Sequence, residues 1–449
     1  MGMRWLAALG VALLVAACTP ADERPDPPPP TPAPTRATEA VEITTRPLVL
    51  AINARRPPID VGKAVAGWIR DGTITNWRDL GQPAAPLRVI DRTDTLRHLP
   101  MNTIALVVAD AMEPSVRAIT VAGVDPLRDP DDYPLQVEGP DHPPVTTMTV
   151  VGDIMLGRGV TGRPALGPTA QRLAAADITV GNLESTLSDD GAPTQDDAFH
   201  APPSVRGELR HAGFDALSLA NNHVGDYGDR ALVETVRLLH RARLPAFGAG
   251  PDLAAARQPV GVARHGIRFG FLGFNAIGET PAAGPRQPGA VSVSMPPRTG
   301  PLDRAELGRV LSDVRRLARR ADVVVVMPHW GTQYTNRPEP VQGVVARALV
   351  RAGADLVVGG HPHWVQGASM VGDALVVNSL GNFVFDMDFM PETQEGLMLE
   401  ATFWGTRLVA ADFVPYRIDP AFAPRVVPYS SAAHTFDLFW EFSGLAATR

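Results

Sequence analysis

The stretch Val145–Gly157, VTTMTVVGDIMLG, is the most informative part of the sequence for the fold. Val145 to Val151 has the alternating, β-branched pattern of a strand, and this strand runs directly into Gly152-Asp153. Open α/β sheets place their ligands at the carboxyl ends of their strands. The stretch therefore predicts a strand that ends at a functional site.

The same order, an apolar run followed by side chains able to bind a metal, recurs along the chain. The later examples are Val180 before Gly181-Asn182-Leu183-Glu184, Ala216–Leu219 before Asn221-Asn222-His223, Val323–Met327 before His329-Trp330-Gly331, and Leu356–Val358 before Gly359-Gly360-His361-Pro362-His363. Apolar spacing of three and four predicts helices between them, at 170–176, 205–212, 229–243, 302–320 and 341–352. This alternation predicts parallel strands, and we expect a β-rich part at 374–416 to close a second sheet.

The joint order of these motifs predicts a metal site. A single histidine on an apolar segment is more often a structural residue than a ligand. Divalent transition metals bind imidazole and carboxylate or amide oxygen, and two ions ~4 Å apart can hold a phosphoryl or similar oxygen for in-line displacement. Asp, Glu, Asn-His, His and His-x-His on successive strand ends supply such a set. We therefore expect two divalent metal ions as cofactors, and Mn, Fe and Zn are the candidate metals.

The order of the motifs resembles the calcineurin-like phosphoesterases, and the strings themselves are similar to the CapA family of capsule and poly-γ-glutamate biosynthesis. The resemblance implies a four-layer α-β-β-α sandwich over residues 145–430, with a small N-terminal α/β lobe before it. The strings that carry it are Gly152-Asp153-Ile154-Met155-Leu156-Gly157, Asn182-Leu183-Glu184, Asn221-Asn222-His223 with Asp226 and Gly228, His329-Trp330-Gly331, His361-Pro362-His363, and Ser379-Leu380-Gly381-Asn382-Phe383-Val384-Phe385-Asp386.

The resemblance also implies a role for each motif residue. Asp153 and His363 are expected to bind the first ion, and Asn222, His329 and His361 the second. Glu184 is expected to lie between the two ions. His223 is expected to donate a proton to the leaving group or to stabilise negative charge, and Asp226 to fix its ring. The Gly381-Asn382 pair is interpreted as a turn that supports the site.

Met155 departs from the wider phosphoesterase pattern, in which the first Asp is followed by a His two residues later. A thioether is a poor ligand for these ions, so we expect one site to have fewer ligands or a different construction. The departure is typical of the CapA branch and weakens the prediction of ordinary phosphatase activity. Arg158 and Trp330 are candidates for contacts with an anionic substrate or, equally, for packing.

Residues 1–18 have the pattern of a signal peptide, with Arg4 before the apolar run Trp5–Ala17. The run is shorter than the ~20 residues of a spanning helix. Val15-Ala16-Ala17-Cys18 resembles the lipobox of bacterial lipoproteins, so we expect Cys18, the sole cysteine, to be lipidated; a plain signal peptide or a buried thiol is the alternative. Residues 19–45 are rich in proline and are expected to form an extended linker. These features predict an extracytoplasmic protein anchored to the cell membrane.

Residues 46–142 predict a separate α/β lobe. The segment Trp68–Gly81, with its Gly-x-Ile-Thr-Asn-Trp string, resembles a fragment of the phosphate-type periplasmic binding proteins. Such proteins hold an oxyanion with hydroxyl and N–H groups, whereas this chain has Asp91–Leu96, with two extra carboxylates, at that point. We therefore expect a lobe kept for packing or protein contacts. Trp68 and Trp77 are expected in its core, and residues 431–449 are expected to form a C-terminal tail.

The composition excludes some functions. Hydrophobic residues make up 45% and charged residues 20%, which is ordinary for a folded protein. The formal net charge is -7 and no long basic run occurs, so nucleic acid is not expected as a partner.

The motifs and the lobe together leave three functional hypotheses. The first is a metal-dependent hydrolase or transferase that acts on a cell-envelope polymer or another anionic substrate. The others are a non-catalytic scaffold for polymer synthesis or export, and a small-anion binding module.

Overall fold

The computed structural model describes residues 44–91 and 96–446. The predicted signal peptide with Cys18, the linker up to residue 43 and most of the Asp91–Leu96 segment lie outside the described residues. The described part of the chain makes one compact unit. Within this part, no helix combines the length and the apolar character needed to cross a bilayer.

The N-terminal lobe is a five-stranded, mostly antiparallel sheet with one helix packed on it. Its strand β1 pairs with three neighbours, and this central position explains why β1 is almost fully buried. The lobe elements are β1 (Thr44–Asn53), β2 (Asp60–Val61), α1 (Lys63–Arg70), β3 (Arg88–Ile90), β4 (Thr103–Val108), β5 (Val116–Ala118), β6 (Thr120–Val121) and β7 (Gln136–Gly139).

One of the two lobe tryptophans is in the core and the other is not. Trp77 is fully buried, as expected, and packs with Ile52 and Ile69. Trp68 is 51% exposed, so its prediction as a core residue was wrong. Helix α1 buries the face that carries Ala66 and Ile69, and position 68 lies on a different face of this helix.

The rest of the chain forms the sandwich and its covering helices. In chain order its elements are β8 (Val145–Ile154), α2 (Gly167–Ala174), β9 (Ile178–Leu183), β10 (Thr186–Leu187), β11 (His200–Ala201), α3 (Arg206–His211), β12 (Ala216–Ser218), α4 (Gly228–Arg241), β13 (Ala246–Phe247), β14 (Ala249–Gly250), α5 (Leu253–Ala256), β15 (Val260–Arg264), β16 (Ile267–Asn275), β17 (Gly289–Ala290), α6 (Arg304–Leu317), β18 (Val323–His329), α7 (Pro340–Ala352), β19 (Leu356–Val358), β20 (Val365–Val371), β21 (Ala374–Leu380), β22 (Asn382–Val384), β23 (Glu395–Trp404), β24 (Arg407–Ile418), β25 (Pro424–Val426) and α8 (Ala433–Glu441). Short 3-10 helices occupy Trp77–Leu80, Leu96–His98, Ala109–Ala111, Pro130–Asp132, Arg158–Val160, Pro203–Val205, Pro391–Gln394 and Tyr429–Ser431.

Two large sheets form the middle of the sandwich. The first has the order β13-β12-β9-β8-β23-β24-β25, with β22 also paired to β8, and the second has the order β15-β16-β18-β19-β21-β20. Strands β8, β9, β12 and β13 are parallel, as are β16, β18, β19 and β21. Each sheet therefore brings the carboxyl ends of several strands to one edge.

The apolar side chains divide into layers that match a four-layer α-β-β-α fold. One cluster joins the facing sides of the two sheets, for example Val150 with Val325 and Val377. A second lies between the first sheet and helices α2 to α4, and a third lies between the second sheet and helices α6 and α7. Because both sheets are covered on both faces, strands such as β18 are apolar without alternation.

The β-rich part at 374–416 is divided between the sheets instead of closing the second one. Strand β21 lies in the second sheet, but β22 pairs with β8 in parallel and β23 pairs with β8 in antiparallel fashion. The expectation that the whole part belongs to the second sheet was wrong. Alternation in the sequence indicates strands, but it does not say which edge a strand joins.

The lobe packs directly on strands β23 and β24 of the sandwich. Val409 and Ala410 share an apolar cluster with Val49 of the lobe, and Trp404 Nε1 donates a hydrogen bond of 2.8 Å to Leu127 O. Two ion pairs add to this contact: Arg117 Nε pairs with Asp412 at 3.0 Å, and Arg128 pairs with Glu400 at 2.8 Å.

The segment 431–449, predicted as a tail, contains helix α8. This helix buries Phe439 in the cluster between the two sheets, where Leu445 joins it. The segment is therefore part of the packed body as far as residue 446.

Candidate metal centre

Six of the predicted site residues lie together at the carboxyl ends of the strands. Asp153 is near the end of β8, Glu184 follows β9, and His329 ends β18. Asn222 lies in the turn after β12, and His361 and His363 lie in the turn after β19. All six are buried, with Asp153, Glu184 and His363 completely so.

Glycines allow these strand ends to approach each other. A Cβ at Gly152 would lie 1.9 Å from Gly381 O, the carbonyl that accepts the hydrogen bond of Asp153 N at 3.1 Å. A Cβ at Gly360 would lie 2.5 Å from Asp153 Oδ1. The backbone can carry Asp153 this close to the His361 turn only because both positions lack a side chain.

The ligand atoms form two groups that share one carboxylate. One group consists of Glu184, His329 and His361, and the other consists of Asp153, Glu184 and His363; within each, the atoms lie within 4.8 Å of one another. Asn222 Oδ1 lies 2.8 Å from His329 Nε2, at the first of these groups. Glu184 is the residue that the two groups have in common, which is the position expected of a carboxylate between two ions.

Several of these polar atoms have no hydrogen-bond partner, which fits a metal site. They are both carboxylate oxygens of Glu184, both ring nitrogens of His361, and His363 Nε2. An unsatisfied buried polar group costs about 1–3 kcal/mol, so a folded protein rarely gathers five of them at one point. Bound cations would satisfy the Glu184 oxygens, His363 Nε2 and one nitrogen of His361, and the residues present therefore fit divalent metal ions.

Neighbouring residues fix the orientation of the ligands. Asn382 Nδ2 donates to Thr393 O at 3.0 Å, so its Oδ1 faces His363 Nδ1 at 2.8 Å and must accept. The proton of His363 is then on Nδ1, and Nε2 keeps the free lone pair that a metal needs. Asn182 Nδ2 and the backbone N–H of His361 each donate to one oxygen of Asp153, at 2.8 and 3.0 Å.

The turns that carry the ligands have unusual backbone conformations. His361 and His363 have φ angles of 95° and 59°, which residues other than glycine rarely adopt. Such strain concentrates at functional sites, where the surrounding contacts maintain it. Asn221 stabilises the other turn, because its Oδ1 accepts from the backbone N–H groups of His223 and Val224.

His223 lies beside the two groups without belonging to either. Its Nδ1 lies 2.7 Å from Asp226 Oδ2, and its Nε2 lies 3.9 Å from Glu184 Oε1. The ring stacks on Phe199 with centroids 3.6 Å apart, and Phe199 N also donates to Asp226. Asp226 thus fixes the imidazole and leaves Nε2 directed at the shared carboxylate.

Burial dominates the electrostatics of the ligands. Desolvation and the charge of Glu184 raise the pKa of Asp153 to about 7, and desolvation raises the pKa of Glu184 to about 8. Desolvation lowers the pKa of His329 to about 4 and of His363 to about 3, so both rings are neutral, as ligands must be. For His223, burial opposes the charge, but the hydrogen bond to Asp226 and the charge of Glu184 outweigh it and raise its pKa.

These shifts predict that the stabilisation given by metal grows as the pH rises from about 6.5 to about 8. Without metal, folded Asp153 and Glu184 keep protons that the unfolded chain releases near its ordinary pKa values of 3.8 and 4.5. The stability due to these protons is complete at low pH and is lost as the pH rises through about 7 and 8. His329 contributes nothing to this window, because its pKa lies at or below 6.5 in both states.

The measurement is the midpoint of thermal unfolding, with and without a chelator, at several pH values in this window. Bound cations keep the two carboxylates ionised, so the chelated protein should lose more stability than the metal-loaded protein as the pH rises. A difference that stays constant or shrinks from pH 6.5 to 8 would contradict the assignment of these carboxylates to a metal site.

Met155 and Trp330 lie away from the ligands. Met155 is buried in the cluster beneath the first sheet, where its sulfur accepts from Gly157 N at 3.1 Å. Trp330 is fully buried and donates to Asn378 O. These contacts favour packing over contact with an anionic substrate. Arg158 is exposed, pairs with Asp386 and Asp197, and stacks on Phe199.

Three residues near the site were not predicted from the sequence. Glu279 accepts a hydrogen bond of 2.6 Å from Asn222 Nδ2, and Arg298 pairs with the other oxygen of Glu279. Tyr334 stacks on His363 with centroids 5.9 Å apart. Glu279 could have been found because it also follows a strand, at 267–275. It was not noticed because no histidine marks the end of this strand.

Comparison with known families decides the classification. Residues 147–387, which contain every candidate metal-site residue, match the family described as bacterial capsule synthesis protein PGA_cap. The chain belongs to this family. It is 33% identical over 285 residues to the capsule biosynthesis protein CapA of Bacillus anthracis, covering 61% of this chain and 67% of that protein. It is 32% identical over 254 residues to the PGA biosynthesis protein CapA of Bacillus subtilis, covering 54% and 64%.

The CapA resemblance inferred from the motifs is therefore confirmed. The chain spans about two thirds of the length of these two relatives. Among solved structures, it is similar to a hypothetical protein from Thermus thermophilus, with a TM-score of 0.40 and 17% identity over 60% of this chain and 99% of that one. It is also similar to a protein described as a novel phosphatase of Mycoplasma pneumoniae, with a TM-score of 0.39 and 12% identity over 66% and 100%.

Proposed function

We propose that this CapA-family protein is an extracytoplasmic, lipid-anchored, metal-dependent hydrolase or transferase that acts in capsule, poly-γ-glutamate or cell-wall polymer metabolism. The names of its relatives in Bacillus anthracis and Bacillus subtilis suggest the process. The observation that carries the proposal of catalysis is the pair of buried ligand groups that share Glu184 and contain five polar atoms without a hydrogen-bond partner.

The arrangement suits an attack by water on a polarised bond. When bound, two divalent ions would polarise a substrate oxygen and supply a nucleophile from water at neutral pH. The protein contributes a fixed set of ligands, since Asn382 orients His363, and Asn182 and the His361 N–H hold Asp153. These hydrogen bonds help to preserve the spacing that such chemistry needs.

His223 is the proton donor in this proposal. Asp226 accepts from Nδ1–H and favours the doubly protonated ring, whose Nε2 proton is then available to a leaving group beside Glu184. The stacked ring of Phe199 restricts the imidazole to one orientation. A purely structural metal site would not need a histidine that lies next to the ligands without being one of them.

Substrate screening tests the proposed chemistry. The metal-loaded protein is to be assayed on aryl phosphomonoesters, phosphodiesters, poly-γ-glutamate and peptidoglycan fragments, since the buried Met155 gives no reason to expect simple phosphatase activity. Turnover that needs both metal and His223 supports the enzyme. If no substrate reacts, and His223→Ala restores polymer production in a deletion strain as well as the wild type, the protein is a scaffold.

Membrane anchoring is tested by replacing the lipobox cysteine. The full-length protein is expected in the detergent phase of a phase-partition experiment, and Cys18→Ser in the aqueous phase, because one or more acyl chains at Cys18 would supply the membrane affinity. The described part of the chain offers no spanning helix as an alternative anchor. Retention of the processed Cys18→Ser protein in the membrane fraction would show that the anchor is elsewhere.

A further inference from the structure

Glu279 makes a contact that decides which way the Asn222 amide points. Asn222 Nδ2 donates to Glu279 Oε2 at 2.6 Å, and Asn222 Oδ1 lies 2.8 Å from His329 Nε2. The second oxygen of Glu279 accepts from Arg298 Nη2. The amide is therefore held between a carboxylate on one side and a ligand group on the other.

The chemistry of an amide makes this orientation important. An amide binds a cation through its oxygen, because its nitrogen carries two protons and has no lone pair to give. If the Asn222 amide were turned over, its oxygen would face the Glu279 carboxylate, and two acceptors would oppose each other. A carboxylate at position 279 thus favours the orientation in which Oδ1 faces Glu184, His329 and His361.

The loop that carries Glu279 is connected to both sides of the site. It follows β16, and Ala276 N in this loop donates to His329 O at 2.8 Å. On the other side, Gly225 N donates to Thr280 Oγ1 at 3.1 Å, which joins the loop to the turn after Asn222. Glu279 itself has a φ of 63°, a strained conformation for a residue other than glycine.

We propose that Glu279 is a positioning residue that holds the amide oxygen of Asn222 toward the ligand group of Glu184, His329 and His361. This inference rests on the proposed metal function. Glu279 belongs to none of the ligand groups among the described residues, and it acts through Asn222.

The proposal makes an unusual prediction for Glu279→Gln. A glutamine has one acceptor and one donor end, and the charged Arg298 takes the acceptor. The donor end then faces Asn222, so the Asn222 amide turns over and presents NH₂ to the metal. Removing Arg298 as well frees the glutamine to turn its oxygen to Asn222, and the original orientation returns.

The experiment is a double-mutant cycle on Mn²⁺ affinity, measured by competition with a chelator. The proteins are the wild type, Glu279→Gln, Arg298→Ala and the double variant. Glu279→Gln is expected to lose roughly 10- to 100-fold in affinity, as for other partners of metal ligands. Arg298→Ala should change the affinity by less than about tenfold, since it removes a half-exposed ion pair. The double variant is expected to recover most of the loss.

The cycle distinguishes orientation from charge. If Glu279 acts only as a negative charge, the two substitutions have independent, additive effects on affinity, and the proposal is overturned. It is also overturned if Glu279→Gln binds Mn²⁺ as tightly as the wild type. Wild-type protein that takes up no Mn²⁺ would contradict the metal function itself, which is a separate result.

Two further variants guard against a trivial loss of structure. Glu279→Gly removes the acceptor but relieves the backbone at φ 63°, so it should lower the affinity without lowering thermal stability. Asp322→Asn changes another ion-paired carboxylate, just before β18 at the other end of the sheet, where it pairs with Arg268. It is expected to leave the Mn²⁺ affinity at the wild-type value.

Discussion

His361→Ala and His363→Ala are each expected to remove one of two bound metal ions, and Glu184→Ala is expected to remove both. The two histidines belong to different ligand groups, and only Glu184 belongs to both. Loss of a direct ligand should lower affinity by more than the roughly 10- to 100-fold that loss of an outer partner costs. The measurement is metal content per protein after dialysis against a limiting concentration of Mn²⁺ or Zn²⁺.

The variants should remain folded, which makes the result interpretable. Both ring nitrogens of His361 are buried without a hydrogen-bond partner, so removing the ring also removes a desolvation cost of about 1–3 kcal/mol. This gain offsets the cavity that alanine leaves. His240→Ala, on the exposed side of α4, is the control and should retain all metal. Equal metal content in His361→Ala and the wild type would refute the assignment.

The second large effect is expected on the rate alone. His223→Ala should retain its metal and its fold but lose about 10²- to 10⁴-fold in turnover, the usual contribution of a positioned proton donor. The reason is geometric: His223 Nε2 lies 3.9 Å from Glu184 but is outside both ligand groups. The measurement pairs kcat with metal content for the same preparation.

Asp226→Asn tests the carboxylate that holds His223. This variant keeps the shape of the residue at His223 Nδ1 but removes the negative charge that helps to raise the pKa of His223, so fewer rings carry a proton on both nitrogens at a given pH. We expect it to lose rate in the same direction as His223→Ala. A His223→Ala protein that turns over substrate at the wild-type rate would remove His223 from the mechanism.

The sequence is sufficient to predict that the candidate ligands meet, because the carboxyl ends of parallel strands lie at one edge of a sheet. Asp153, Glu184 and His329 come directly after or at the end of buried strands, so their meeting follows from the topology alone. The helices at 205–212 and 341–352 were also predicted to within a few residues, since their apolar spacing is regular. These features depend on local pattern and on one rule of sheet geometry.

Other features depend on contacts between distant parts of the chain. Glu279 lies 57 residues from Asn222 in sequence, and nothing in the local pattern indicates their hydrogen bond. The pairing of β23 with β8 depends likewise on how β22 continues beside β8 after Gly381. Trp68 has a core-like side chain, yet the face of α1 that meets the sheet is set by Ala66 and Ile69.

The positions of bound ions would show whether Glu184 lies between two metal sites. Crystals grown with Mn²⁺ and measured near its absorption edge should show two anomalous peaks about 3.5–4 Å apart, one on each side of the Glu184 carboxylate. One peak should contact His329 and His361, and the other should contact Asp153 and His363. Crystals that show no anomalous peak at Glu184, with Mn²⁺ present above millimolar concentration, would contradict the account.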